Sequence, residues 1–361
     1  MNRIEIIDSG HVTRDDAAFP TLVNLGNGEL LCAYTVKGNG PNALGGTGLS
    51  RSYDSGKSWI YERIILPRTE NPVTVNSLRL SKTSDGSILA YGSRDYLEGS
   101  GKERKFGEYK NEPVFCKSLD NGKTWSEPMI IPTNLCPTYE ISNPIVDTGN
   151  NTWLAPAATL PNKKQLGERV VVFISKDKGK TWPKHSTVFY DPKGKKGFFE
   201  QKIIRMKKGK LLAIAWTVTL GDYRDLENHF SISNDHGETW STPEPTGIEG
   251  QTPGPLYLGE DRLLVLSNRR YGRQGIVAYF VRLIYKDPNK VTWNIEGESL
   301  LWDAQTTRNL ETENKKGIDA FDDFAFGLPS AIKLENGEFL AVHWCKEEGI
   351  FGIRWTKFKE I

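Results

Sequence analysis

The chain has 361 residues, with 47 basic against 45 acidic side chains and a formal net charge of +2. That balance, without any concentrated basic block, gives no support for nucleic acid or an anionic membrane as partner. No run approaches the roughly 18 apolar residues of a membrane-spanning helix, and 10 Trp, 13 Tyr, 15 Phe and 35 Gly suit many short strands joined by tight turns better than they suit helices.

The first predicted element is a strand, IEIID at 4–8, which has no hairpin partner of its own. Neither a basic leader region nor a hydrophobic one precedes it, so the expectation is a cytoplasmic protein, or a secreted one if a signal peptide was removed before residue 1. Six segments then repeat one plan, an apolar strand, a polar-Gly turn and a second apolar strand: 20–34, 78–92, 144–157, 202–216, 253–268 and 329–344. PTLVNLGNGELLCAY is the first and PSAIKLENGEFLAVHW the last.

After each of the first four hairpins comes an octapeptide: SYDSGKSW (52–59), SLDNGKTW (118–125), SKDKGKTW (175–182) and SNDHGETW (233–240). Asp or Asn in such a turn bonds its own backbone two residues on, Gly supplies a positive φ, and Trp re-enters a strand as a packing anchor. Gly-Lys-Ser/Thr inside the first three copies is not a phosphate loop, because the Gly that such a loop needs five residues earlier is Arg51, Lys117 or Ile174 here. The fifth repeat lacks the octapeptide and keeps only Trp293 after DPNKVT.

A hairpin, a connecting loop and a second hairpin make four antiparallel strands, which is a propeller blade. The predicted fold is therefore all-β: a six-bladed β-propeller of four-stranded antiparallel blades, one domain over 1–361. Strand 4–8 closes the ring against the last blade. A parallel α/β fold would need amphipathic helices between the strands, and stacked sandwiches would not explain six copies.

Cys32, Cys116, Cys136 and Cys345 lie far apart with no CxxC, and read as small buried hydrophobes in a reduced compartment. The five His are isolated, with no HxH or HExxH, so neither a metal site nor a cofactor is expected. His236, inside an octapeptide, is expected to be exposed.

The octapeptides are identified as Asp-boxes, or bacterial neuraminidase repeats, and the chain resembles the sialidase superfamily from end to end. The resemblance implies the propeller fold, with the boxes as structural turns away from the site. Sialidases open the first blade with Arg-Ile-Pro, where this chain reads Ala18-Phe19-Pro20. Their acid/base Asp lies in a loop that here reads TVKGNGPNALGG, without a carboxylate. Their Tyr nucleophile opens the last blade, where Phe326-Gly327-Leu328-Pro329 carries no hydroxyl. The Glu that polarises that Tyr does carry over, as Glu200 in Phe199-Glu200-Gln201, and Arg269, Arg270 or Arg273 stands for the fifth-blade Arg.

In such a propeller the starts of the innermost strands and the ends of the second strands share one face, where polar side chains converge on the axis. Sugar hydrolysis needs an acid and a base or nucleophile flanking the bond, with Arg or amide groups to orient the substrate. The expectation is an exo-acting, sialidase-like glycoside hydrolase that cleaves a terminal acidic or heavily hydroxylated sugar from an oligosaccharide, by a carboxylate pair instead of Tyr. Glu200 pairs with Asp95 or Glu140. Arg79, Arg94, Arg224, Gln251, Arg269 and Arg270 hold the substrate, and Trp216 and Trp344 offer stacking surfaces. Lys37, Asn39, Asp322 and Asp323 are further rim candidates. The alternatives are a polysaccharide lyase on a uronic-acid glycan, with Tyr96, Tyr139 or His343 as base, and a non-catalytic carbohydrate- or protein-binding propeller.

Overall fold

Runs such as Leu30-Leu31-Cys32-Ala33 and Leu263-Leu264-Val265-Leu266 are apolar at every position, where a strand with one wet face would alternate. A computed structural model, which describes residues 3–36, 45–97, 110–287, 290–304 and 324–361, shows the reason. Each second strand is sandwiched, and successive side chains face opposite neighbouring blades. Leu31 and Ala33 pack with Leu78, Leu80 and Ala90 of the second blade, while Leu30 and Cys32 pack with Leu340 and Val342 of the sixth. Leu263 and Val265 likewise face the fourth blade, and Leu264 and Leu266 the sixth. One apolar cluster fills each of the six blade interfaces, so the core forms a ring around the axis.

The blades are six antiparallel sheets of four or five strands, connected in sequence order. Their innermost strands begin with Ala17–Gly26, Val73–Lys82, Tyr139–Glu140 with Val146–Gly149, Lys196–Arg205, Gln251–Gly259 and Phe326–Lys333. Blade three differs from expectation, because its inner strand is broken into two pieces that both pair with Thr152–Thr159. The break falls at Ser142-Asn143-Pro144, where Pro144 has no N–H to give to a ladder. Strand Ile4–Thr13 pairs antiparallel with Ile350–Glu360, from Ile4 opposite Glu360 to Thr13 opposite Ile353. It thus supplies the outermost strand of blade six and closes the ring, as the sequence predicts. Lys37, Asn39, Asp322 and Asp323 lie outside the described residues.

The octapeptide turns differ in their bonding from expectation. Asp54 reaches three and four residues on, with Oδ1 accepting the N–H groups of Lys57 (3.0 Å) and Ser58 (2.9 Å), while Ser52 Oγ accepts the N–H of Gly56 at 2.8 Å. Burial opposes ionisation, but the Ser58 hydroxyl and amide hold the Asp54 carboxyl down to about 2. These turns are also wedges between blades. A Cβ on Gly56 would come within 2.5 Å of Leu340 of blade six, and one on Gly237 within 2.5 Å of Leu154 of blade three. His236 is half-buried, with Nδ1 3.2 Å from the Thr148 carbonyl; its place at the wedge tip is what takes it out of solvent.

Candidate functional site

Four of the six innermost strands share a defect near their start. Pairing with the second strand slips between Ala18 and Thr21, Phe199 and Lys202, Gln251 and Gly254, and Gly327 and Ser330. Within each slip one residue adopts a left-handed backbone: Phe19 (φ 59°), Glu200 (46°), Thr252 (46°) and Leu328 (45°). A non-Gly residue in that region costs about 1–3 kcal/mol and persists only when its surroundings over-determine it. The bulge also re-aims its side chain. All four line a single cleft of about 260 Å3 among the innermost strands.

Aromatic rings of Phe199, Trp216, Phe324, Trp344 and Phe351 wall this cleft, and its polar groups are Glu140, Glu200, Gln251, Thr252 and Arg270. Glu140 comes from the broken strand of blade three, and its Oε2 accepts the backbone N–H of Glu200 at 3.0 Å. The two carboxyl groups are therefore no farther apart than that bond plus the reach of one glutamate side chain, which lies below the upper limit of about 9.5 Å for glycosidase carboxyl pairs. Burial, and then the neighbouring Glu200 charge, raises the Glu140 carboxyl. Glu200 in turn accepts a hydrogen bond from the Thr252 hydroxyl.

Three cations surround the pair. Burial pushes the Lys202 ammonium down to about 8, Arg79 to about 10 and Arg270 to about 9. Their hydrogen bonds go to neutral oxygens. Lys202 donates to the Ser142 carbonyl, and Arg79 to Ser77 Oγ (2.7 Å) and the Leu78 carbonyl (3.3 Å). Arg270 donates to the Gln251 side chain and, at 2.6 Å, to the Phe326 carbonyl. Arg79 also lies over the Phe19 ring (5.6 Å), and Arg270 over that of Phe324 (3.7 Å). Among the described residues no carboxylate forms an ion pair with any of the three. With Glu140 biased towards its neutral form, the cleft carries a positive excess, which favours an anionic group in a bound molecule.

The structure thus brings Glu140, Glu200, Trp216, Gln251, Arg270 and Trp344 together, with Arg79 behind Phe19. It does not place the other candidates on the cleft lining. Asp95 is buried and accepts the Asn111 amide at 3.0 Å, and Arg94 and Tyr96 share the Glu112 carboxylate. Arg224 pairs with Asp222 (2.7 Å), Arg269 with Glu298 (3.2 Å) and Arg273 with Asp303 (2.8 Å). His343 is buried off the cleft beside Trp302, and burial pushes its imidazole down to about 3. Tyr139 has its hydroxyl on Thr133 (2.6 Å). Sequence reasoning missed Thr252, Lys202, Phe324 and Phe351. The first had a readable signal, since Phe19-Pro20, Thr252-Pro253 and Leu328-Pro329 occupy equivalent places, each opening an innermost strand.

Residues 47–340 match the BNR repeat-like domain. A curated sialidase of Bacteroides fragilis (strain YCH46) is 26% identical over 263 residues, 64% of this chain and 44% of the relative, so the chain spans less than half the length of that protein. A solved structure of a protein of unknown function from Dyadobacter fermentans DSM 18053 superposes with a TM-score of 0.75 at 21% identity, covering 100% of both chains. The NanB sialidase of Streptococcus pneumoniae gives 0.64 at 12% identity, over 99% of this chain and 71% of that one. An α-L-arabinanase of Penicillium chrysogenum gives 0.66 at 14%, over 97% and 98%. At these identities the superpositions speak for the fold. The domain match spans well over half of the sequence, and this chain belongs to the BNR repeat-like domain family, within the sialidase superfamily of six-bladed propellers.

Proposed function

We propose that this propeller is an exo-acting glycoside hydrolase that removes a terminal sugar, acidic or heavily hydroxylated, from an oligosaccharide, with Glu140 and Glu200 as its carboxyl pair. The observation that carries the reading is the partly buried contact between them, in which Glu140 is biased towards its protonated form while it accepts the Glu200 N–H at 3.0 Å. Glu140 is the acid that protonates the departing glycosidic oxygen. Glu200 is the base that takes a proton from the water adding to the anomeric carbon, so that one water is consumed and both carboxyl groups regain their starting states after proton exchange with solvent. Arg270 and Arg79 favour a carboxylate on the sugar, and Trp216 and Trp344 supply ring-stacking surfaces. Leu328 lies on the cleft without a hydroxyl, which leaves covalent Tyr chemistry without a nucleophile there.

The test is turnover of natural and chromogenic oligosaccharides, sialyl and uronic ones included, by the wild type and Glu200→Gln. The variant is expected to bind the substrate and lose about 10²–10⁴-fold in kcat. A glycan-binding module is the second reading, favoured by six aromatic side chains around so small a cleft. Sugar binding by both proteins, without turnover by either, would establish it instead.

A further inference from the structure

Blade five departs from the others at its outer edge. Where the first four blades carry the octapeptide, this one extends its third and fourth strands to 13 and 14 residues, Gly275–Asp287 and Lys290–Asp303. The lengthened hairpin sets Trp293 beside blade four, its indole 5.1 Å from Phe230. With Trp240 it lines a groove of about 800 Å3. The Trp293 N–H is buried without a partner, yet the residue is only half-buried.

A second groove of about 840 Å3 adjoins this one, sharing Glu244 and Pro245, and runs between the same two blades. Asp225 also lines it, and its carboxylate accepts the Trp216 indole N–H at 2.7 Å and the Tyr271 hydroxyl. Trp216 also walls the central cleft. Asp225 therefore stands between the inner groove and the Trp216 wall of the cleft, while Trp240 and Trp293 line the outer groove.

Charge differs between the two sites. Arg270 lines the cleft, with Arg79 and Lys202 buried behind its lining, whereas the inner groove presents Asp225, Glu227, Glu244 and Glu249 against Lys196 and Arg269. Of these two, Lys196 is engaged with His229 (2.7 Å) and Arg269 with Glu298 (3.2 Å). Carboxylates accept hydrogen bonds from hydroxyls and repel anions, and indole faces pack on the C–H faces of sugar rings.

We propose that the groove between blades four and five is a binding site for a neutral, hydroxyl-rich oligosaccharide segment. On the glycosidase reading, on which its catalytic meaning rests, this segment is the part of the substrate that remains after the terminal sugar is cleaved.

The test uses the full chain carrying Glu200→Gln, titrated by calorimetry with di- and pentasaccharides of the gluco, xylo, manno, galacto and arabino series and with pentagalacturonate. At least one neutral pentasaccharide is expected to bind ten-fold or more tighter than its disaccharide, and pentagalacturonate to gain nothing from length. Trp293→Ala should abolish the length dependence. Because Trp293 also packs on Phe230, Glu244→Lys/Glu249→Lys, at two exposed positions, provides a variant that leaves the interior intact. It should weaken the neutral pentasaccharide and favour pentagalacturonate. No length dependence with any neutral series, or length dependence unaltered in both variants, overturns the proposal. Wild-type turnover decides the reaction separately: length-dependent binding without turnover sinks the hydrolase reading and leaves the groove standing, and turnover without length dependence does the reverse.

Discussion

The octapeptide wedges and the central cleft are built on opposite rules. In the four wedges the Gly N–H meets the Ser hydroxyl at 2.8, 2.8, 2.8 and 2.9 Å, and the Trp indole meets the Gly carbonyl at 3.1 to 3.2 Å where it bonds. Local donors find local acceptors, and the left-handed backbone falls on the Gly and on the residue just before it, Ser55, Asn121, Lys178 or His236, in an exposed or half-buried turn. In the cleft the left-handed residues are Phe, Glu, Thr and Leu, the buried cations bond to neutral oxygens, and one carboxyl is packed against the backbone of another. Repetition of locally bonded turns makes the ring, and left-handed bulges on bulky side chains together with unbalanced charge set the cleft apart from it.

The largest separation between the two regions should appear at Glu140. Its raised carboxyl is the working acid on the hydrolase reading, so activity is present below its pKa and falls as pH rises through it. Glu140→Gln should lower kcat by about 10²–10⁴-fold and flatten that alkaline limb, while the thermal midpoint stays at or above that of the wild type, because burial of an ionisable group is relieved. A pH–rate profile of unchanged shape in the variant would remove Glu140 from the chemistry.

At the wedges the converse holds. Arg51 is fully buried and bonds to Glu29, to Glu62 and, across the seam, to the Asn121 carbonyl at 2.9 Å. Arg51→Met leaves two partly buried carboxylates unpaired and should cost about 3 kcal/mol, read by urea unfolding, with sugar binding at the cleft unchanged in the protein that remains folded. A loss below about 1 kcal/mol would mean that the network contributes little beyond packing.

This contrast also explains what could be read from the sequence. Octapeptides and apolar runs recur, so SNDHGETW can be compared with SYDSGKSW and LLVLS with LLCAY, and six copies define the ring and its closure by IEIID. The charged side chains of the site differ from blade to blade, although the bulges beneath them repeat. Glu200 stood out by its resemblance to a sialidase position, and Arg270 and Trp216 by lying at strand ends. Lys202 looked like any lysine before an apolar pair, because its burial depends on blade three breaking at Pro144. Arg94, Arg224 and Arg269 shared the strand-end pattern with Arg270, but each has a carboxylate at hand: Glu112, Asp222 and Glu298. Which arginines are left to face the cleft is set by partners distant in sequence.

A smaller effect tests whether backbone strain at the cleft serves function. Thr252 presents its hydroxyl to Glu200 from a left-handed conformation that a β-branched residue disfavours. Thr252→Gly relieves that strain, about 1 kcal/mol, against a similar entropic cost of glycine. Stability should hold level while kcat falls about ten-fold through loss of Glu200 orientation. A fall in stability with kcat preserved would make Thr252 a packing residue.

The mildest prediction concerns acid, where the two kinds of region respond in different windows. Burial holds the His343 imidazole down to about 3, well below its ordinary 6.5, so the folded state resists a proton that the unfolded state accepts. His343 therefore contributes stability above pH 6.5 that is lost as pH falls from 6.5 towards 3, with a slope of about 1.4 kcal/mol per pH unit. The Asp54 carboxyl, lowered from 3.8 to about 2, contributes above 3.8 and is lost only as pH falls through about 2. His343→Phe keeps a ring beside Trp302 and removes the first window alone. Urea unfolding between pH 7 and 4 should lose that slope in the variant, whatever repacking does to its absolute stability, and acid unfolding should then be deferred to the range where the octapeptide carboxylates protonate. An identical slope in both proteins would place the acid-sensitive group elsewhere in the ring.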